Sequence, residues 1–298
     1  MVAATLESAS KAVASYWTAT DAEYFGDGQN SVSNSGLCDF SESAMLFYRR
    51  HILKDPACQF KPTAATQFGT AFHHILFGTQ APIVIPDDVL GKNGAKSTNA
   101  WRDFEAAHAG DLLITKQEKS ALDEMVSNVM GHAEARYLIV EGKEGARVEQ
   151  AVRWDCEESG MKRRCKIDRL LPKLAIVDLK TFGMTPNAEN WAARVERFRY
   201  YRQAAYYQDA TEALGLGRLP FFFVVVQSEA PYEVELFDLG SDADGNGQWI
   251  DRGKRENMKY LAKLKERQIS GNWQSDTHGS LVTIEAPNFA KYGTAWEL

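Results

Sequence analysis

Lys166-Ile-Asp-Arg-Leu-Leu-Pro-Lys-Leu-Ala-Ile-Val-Asp-Leu-Lys-Thr181 is the stretch that decides the fold. It reads as the facing parts of two apolar strands, Met161–Leu170 and Leu174–Thr181, turning at Pro172-Lys173. Asp168 and Asp178 are equidistant from Lys173, so a hairpin turning there sets them opposite each other. Carboxylates facing across a sheet repel, and burying them unpaired costs far more. A divalent cation between them removes both problems. Lys180 lies two residues beyond Asp178, and strand period puts both side chains on one face. Two acids, a cation site and an ammonium at strand ends outline a chemical site. Oxygen ligands of this kind suit Mg²⁺, with Mn²⁺ as a substitute, and both ions favour substrates that bring phosphate. Such an ion polarises a phosphodiester and acidifies a water. Lys180 is then left to orient that water or to stabilise charge in the transition state.

Working outward, Val148–Asp155 is a strand before the hairpin and Glu157–Gly160 is the turn between them. Phe221–Gln227 is an apolar run expected to be buried on both faces. Tyr232–Leu239 alternates like a half-exposed strand. Helices are expected over Ser33–Tyr48, Phe68–Phe77, Trp101–Ala109, Thr115–Leu138, Trp191–Leu214 and 250–270. Thr115 and Glu118 form a capping box. The order (helices, a three-strand meander, a helix, two strands) gives an α/β or α+β fold with a central mixed β-sheet flanked by helices, and a helical N-terminal section. Residues 1–30 read as a flexible arm, 31–270 as a single domain and 271–298 as a polar tail.

The chain has 298 residues, 44% hydrophobic and 25% charged, ordinary values for a soluble globular protein. No apolar run approaches the ~20 residues of a membrane span, and no secretory leader is visible. A cytoplasmic setting without membrane contact is the expectation. Cys38, Cys58, Cys156 and Cys165 are scattered with no C-x-x-C pair, which argues against structural zinc and for free thiols. A net charge of −6 argues against a protein that coats nucleic acid non-specifically. Local basic tracks remain: Arg49-Arg50-His51, then Lys162-Arg163-Arg164 with Lys166, then Arg194, Arg197, Arg199 and Arg202, and a run from Lys254 to Arg267. Arg163, Arg164 and Lys166 abut the paired aspartates and are the expected contacts to a phosphodiester substrate. Asp242–Gly247 fits the first half of an EF-hand loop, but Gly253 stands where a bidentate Glu is required, so it reads as a surface turn.

Two distant features complete a constellation. Gly69-Thr-Ala-Phe-His73 places an imidazole in an apolar surround where it could serve as a further metal ligand, with His74 competing for the role. Gln203 and Tyr207 are four apart on one helix face. Their amide and phenol suit a phosphate or a stacked base, and equally suit helix packing.

In this order, Gly-x-x-x-His, Glu, Asp, Asp-x-Lys and Gln-x-x-x-Tyr resemble the PD-(D/E)XK nucleases of the RecB and lambda-exonuclease type, with the nearest likeness to the RecE (exonuclease VIII) branch. Ser33-Asn-Ser35-Gly-Leu37 with Ser43, and Phe68-Gly-Thr-Ala-Phe-His73-His74-Ile-Leu, look like that family's opening segment. The resemblance covers roughly residues 31–240. It implies that His73, Asp168, Asp178 and the Leu179 carbonyl hold the metal. It further implies that Lys180 is the catalytic lysine, that Glu149 is the acid on the preceding strand, and that Gln203 and Tyr207 position the DNA strand. It also implies Mg²⁺-dependent degradation of linear double-stranded DNA from 5′ ends, a single-strand annealing partner, and a ring-like homo-oligomer (trimer or tetramer). Relatives with an iron–sulfur cluster place three cysteines after the nuclease motifs; none follows Cys165 here. The rival expectations are an endonuclease or junction resolvase on the same core, and a non-catalytic DNA-binding or clamp subunit.

Overall fold

Six consecutive apolar β-formers open Phe221–Gln227, and this strand lies inside the sheet that organises the molecule. The computed structural model describes residues 14–142, 144–240 and 247–285. The N-terminal section runs through β1 (Ser15–Trp17), α1 (Asp21–Gly26), α2 (Asn34–Glu42), α3 (Ala44–Phe47) and α4 (Ala64–Phe77). Next come β2 (Ile83–Val84), α5 (Asn99–Ala107), β3 (Leu113–Ile114), α6 (Lys116–Gly131) and α7 (Ala133–Arg136). The meander is β4 (Arg147–Cys156), β5 (Met161–Leu171) and β6 (Ala175–Phe182). Then follow α8 (Ala188–Phe198), α9 (Tyr200–Ala213), β7 (Phe221–Gln227), β8 (Val234–Asp238) and α10 (Gln248–Ser270).

The main sheet has the order β1-β4-β5-β6-β7-β8, with β6 and β7 parallel and every other pair antiparallel. This is the expected mixed sheet, and α8 and α9 form the crossover that a parallel pair requires. Strand alternation splits β7 between two cores. Phe221, Phe223 and Val225 pack with Leu37, Ala205 and Leu261 on one face. Val224 and Val226 pack with Phe72, Leu122 and Met125 on the other. Each such side chain, fully buried, contributes about 1.5–3 kcal/mol.

Helix starts follow the sequence signals. Ser33 accepts from the Gly36 amide at 3.1 Å, and Thr115 and Glu118 close their capping box. Boundaries depart from expectation in several places: extended Ser43 splits the helix expected over Ser33–Tyr48 into α2 and α3, and α4 and α8 begin at Ala64 and Ala188, ahead of Phe68 and Trp191. The single helix expected over Trp191–Leu214 is broken at Arg199, which adopts φ 56°, ψ 39°. The helix expected over Thr115–Leu138 is interrupted at His132, whose extended backbone caps α7. The described part of the expected flexible arm is packed: β1 pairs with β4, and Asp21 of α1 meets Lys166 at 2.8 Å. The EF-hand-like residues 242–246 lie outside the described residues, as do 1–13 and 286–298. All four cysteines are free thiols. Among the described residues no helix is long and apolar enough to cross a membrane.

Gly253 shows how closely α10 meets α9. A Cβ there would sit 2.4 Å from the Tyr201 carbonyl oxygen and 3.0 Å from the Ala205 Cβ. Alanine normally favours a helix interior by ~1 kcal/mol over glycine. Here the helices must separate, and overpacking costs about 1–3 kcal/mol. Gly253→Ala is therefore expected to lower the urea midpoint of unfolding; a midpoint at or above the native value would refute this packing.

Candidate active site

The β5–β6 hairpin has the register Arg169↔Val177, Leu170↔Ile176, Leu171↔Ala175, and the pairing ends one position short of Asp168 and Asp178. Asp168 and Asp178 are the next residues along the two strands, close enough for the Asp178 charge to act on Asp168. Asp168 accepts from the Leu179 amide at 3.0 Å. Asp178 is buried, its side chain 1% exposed, and it accepts from Lys180 Nζ and, at 2.6 Å, from Gln203 Nε2. Burial lowers the Lys180 pKa, but the carboxylates of Asp178 and Asp168 outweigh it and hold it above the usual lysine range. The ammonium form of Lys180 is thereby favoured.

His73 arrives from α4, whose close approach to β6 depends on Gly69. A Cβ at Gly69 would lie 3.0 Å from Thr181 Oγ1. One helical turn later His73 Nε2 is 2.8 Å from the Leu179 carbonyl oxygen, and Nδ1 is 3.6 Å from Asp168 Oδ2. A carbonyl can only accept, so Nε2 carries the proton and Nδ1 presents its lone pair towards Asp168. Burial, reinforced by the Lys180 ammonium, lowers the His73 pKa and keeps the ring neutral. His74 instead bonds Thr79 Oγ1 through Nδ1 at 2.7 Å, so His73 is the histidine that faces the acids.

Glu149 completes the group. It adopts φ +49°, a left-handed conformation rare for a non-glycine strand residue, and so stores strain on β4. Its carboxylate meets Lys166 Nζ at 2.5 Å. Ligand atoms of His73, Glu149 and Asp168 lie within 4.8 Å of one another. Burial and the nearby Asp178 charge push the Asp168 carboxyl well above its usual range. A neutral imidazole lone pair and converging carboxylates fit a divalent cation, which relieves the mutual repulsion. An imidazole whose other N–H is held by a backbone carbonyl is how proteins orient a metal-ligating histidine. The cluster forms one wall of a cleft of about 780 Å³, bordered also by Tyr24, Arg194 and Tyr200.

The expected site residues divide into three groups. His73, Glu149, Asp168, Leu179 and Lys180 all line the cleft. Asp178 lies beneath, bonded to Lys180 and Gln203. The Leu179 carbonyl, expected among the ligands, accepts from His73, and Gln203 orients Asp178 rather than reaching outward. Tyr207 lines the cleft, and burial raises its pKa well above the usual phenol range.

Arg163 and Arg164 are corrections. Arg163 is 2% exposed, pairs with Asp209 at 2.7 Å and lies 4.0 Å from the Tyr206 ring centroid. Arg164, also 2% exposed, donates to the Ser31 carbonyl and hydroxyl. Both tie the sheet to its cover and cannot touch DNA. Lys166 does face the cleft, but between Asp21 and Glu149. Sequence reading passed over Tyr200, whose ring lies 5.1 Å from Lys180 Nζ, and gave Arg194 only a place in a basic cluster.

Residues 31–269 match the model of a family described as a PDDEXK-like domain of unknown function (DUF3799). No curated protein matches the sequence. Among solved structures, the chain is similar to a crystal structure from Eubacterium rectale described as a "putative exonuclease", with 14% identity and a TM-score of 0.60. The match covers 93% of this chain and 98% of that one. At that identity the likeness carries the fold alone.

Proposed function

The chain belongs to the PDDEXK-like family, and from that premise we propose that it is a nuclease, an Mg²⁺-dependent exonuclease of linear double-stranded DNA. The observation that carries the proposal is the placement of Asp168, Asp178 and Lys180 on one hairpin, with His73 and Glu149 closing round them. His73, Glu149 and Asp168 would hold the ion, with Asp178 close by. When bound, Mg²⁺ (or Mn²⁺) supplies Lewis acidity toward a phosphate oxygen and toward the attacking water. Lys180 carries a fixed positive charge beside that position and stabilises the negative charge that grows on the phosphate. Gln203 holds Asp178, Asp178 holds Lys180, and Tyr200 backs the ammonium, so the charge needs little reorganisation during reaction.

Polarity 5′ to 3′, 3′ single-stranded tails and a role in phage-type recombination belong to the same reading through the resemblance to the RecE branch. So do an annealing partner, a ring-like homo-oligomer and a bacterial cytoplasmic setting. The test is digestion of end-labelled linear duplex beside covalently closed circles. With Mg²⁺ the linear DNA should disappear from its ends while circles persist, and EDTA should abolish the reaction. Cleavage in EDTA would sink the metal role, and nicking of closed circles would replace the exonuclease with an endonuclease.

A further inference from the structure

Lys180 is the inner rung of a ladder of cations and rings that climbs from the cleft to the surface. Its ammonium lies 5.1 Å from the Tyr200 ring centroid. Tyr200 stacks on Phe198 at 5.8 Å with 25° between the planes. The Arg194 guanidinium sits 3.8 Å over Phe198, and that of Arg197 lies 5.7 Å from the same ring. Tyr200 is half-buried, whereas Phe198 is 44% exposed.

A continuous helix could not build this ladder, because residues i and i+2 point away from each other. The break at Arg199 makes it possible. Arg199 holds a left-handed conformation that non-glycine residues adopt at a cost, and that turn brings Phe198 and Tyr200 into one stack. Charge pairing separates this surface from others on the protein. Among the described residues neither Arg194 nor Arg197 has a carboxylate partner, while Arg252 binds Glu196 of the same helix at 2.7 Å. Arg194 also borders the cleft, and its buried Nε has no hydrogen-bond partner. A single exposed phenylalanine needs no explanation. An exposed ring layered with unpaired guanidinium planes, continuous with a catalytic lysine, does.

We propose that the Tyr200–Phe198–Arg194 ladder binds an unpaired nucleobase of a DNA single strand beside the reacting phosphate, with Arg197 taking a backbone phosphate. This rests on the nuclease reading of the cleft and narrows its substrate: the strand must be unpaired next to the site. Aromatic and guanidinium planes stack bases of any sequence, and arginine without an acidic partner neutralises phosphate. Bases within a duplex offer their faces only to each other, so the ladder selects frayed or single-stranded nucleotides.

The test is fluorescence anisotropy of a labelled oligothymidylate with the full chain in EDTA, which separates binding from cleavage. Phe198→Ala should bind roughly ten-fold or more weakly, and Phe198→Trp should bind as the native chain does. An oligonucleotide with abasic positions should bind the native chain more weakly but lose little further on Phe198→Ala. Equal affinity of Phe198→Ala and native chain overturns the ladder, as does an equal abasic penalty in both. Cleavage with Mg²⁺, measured separately, tests the reading beneath. A chain that cleaves while Phe198→Ala binds normally loses the ladder alone. One that binds through Phe198 yet cleaves nothing keeps the ladder and loses the nuclease.

Discussion

Lys180→Met is expected to reduce DNA cleavage about 10²- to 10³-fold, the loss typical of removing one preorganised charge donor from a developing oxyanion. The reason lies in what surrounds the ammonium. Its pKa is held above the usual lysine range against burial, which favours the charged form. Single-turnover rates with excess enzyme should fall while DNA affinity changes little, because the missing interaction is strongest in the transition state. The same substitution has a second consequence. Asp178 is 1% exposed, and its remaining partner would be Gln203. Removing one member of a buried pair leaves an uncompensated charge and costs about 3–5 kcal/mol. Lys180 keeps 21% of its side chain exposed, so the low end is expected. Urea unfolding in EDTA measures it. A variant that keeps native cleavage rates removes Lys180 from the chemistry; one that loses cleavage without losing stability shows that Asp178 finds another partner.

How far the sequence revealed this site depends on how local each signal is. The proximity of Asp168 and Asp178 was legible because a hairpin register follows from the position of its turn. Helix starts at Ser33 and Thr115 were legible because a cap needs only three residues of context. Arg163 was misread because its partner, Asp209, is 46 residues away on another element. A run of Lys and Arg looks alike whether it is solvated or neutralised by distant carboxylates and carbonyls. Gln203 raised a related problem: period four gave its helix face, but not that the face meets Asp178 across the crossover. The break at Arg199 had no local signal at all, since glycine and asparagine are the usual left-handed residues and neither stands there. Positive φ at Glu149 was hidden likewise, within a run that reads as unbroken strand. Both hidden positions carry strain beside the cleft, where local sequence preference is overruled by the geometry a site requires.

Asp168→Asn is expected to make the metal-free protein more stable and at the same time nearly inactive. Burial and the Asp178 charge raise the Asp168 pKa well above its usual value, so the folded state holds that proton more tightly than the unfolded chain does. Between the ordinary carboxylate value and the raised folded one, the native protein therefore loses stability as pH rises. Asparagine removes the charge and can keep an oxygen to accept the Leu179 amide, the bond that Asp168 makes at 3.0 Å. In EDTA the variant should melt several degrees above the native chain at neutral and alkaline pH, and the gap should close towards pH ~4, where an unshifted aspartate is half-protonated. Mg²⁺ reverses the order. An ion that binds only the folded state stabilises by mass action, so native protein should gain melting temperature with added Mg²⁺ while Asp168→Asn gains little. Cleavage by the variant should fall about 10³-fold, since the carboxylate that helps hold the ion has been neutralised. Lower stability of the variant in EDTA would mean that Asp168 is held by favourable contacts rather than poised against them. An equal Mg²⁺ response in both proteins would move the ion away from Asp168. The predicted inversion, with the weaker metal-free fold belonging to the active protein, is what a carboxylate cluster built to wait for a cation must show.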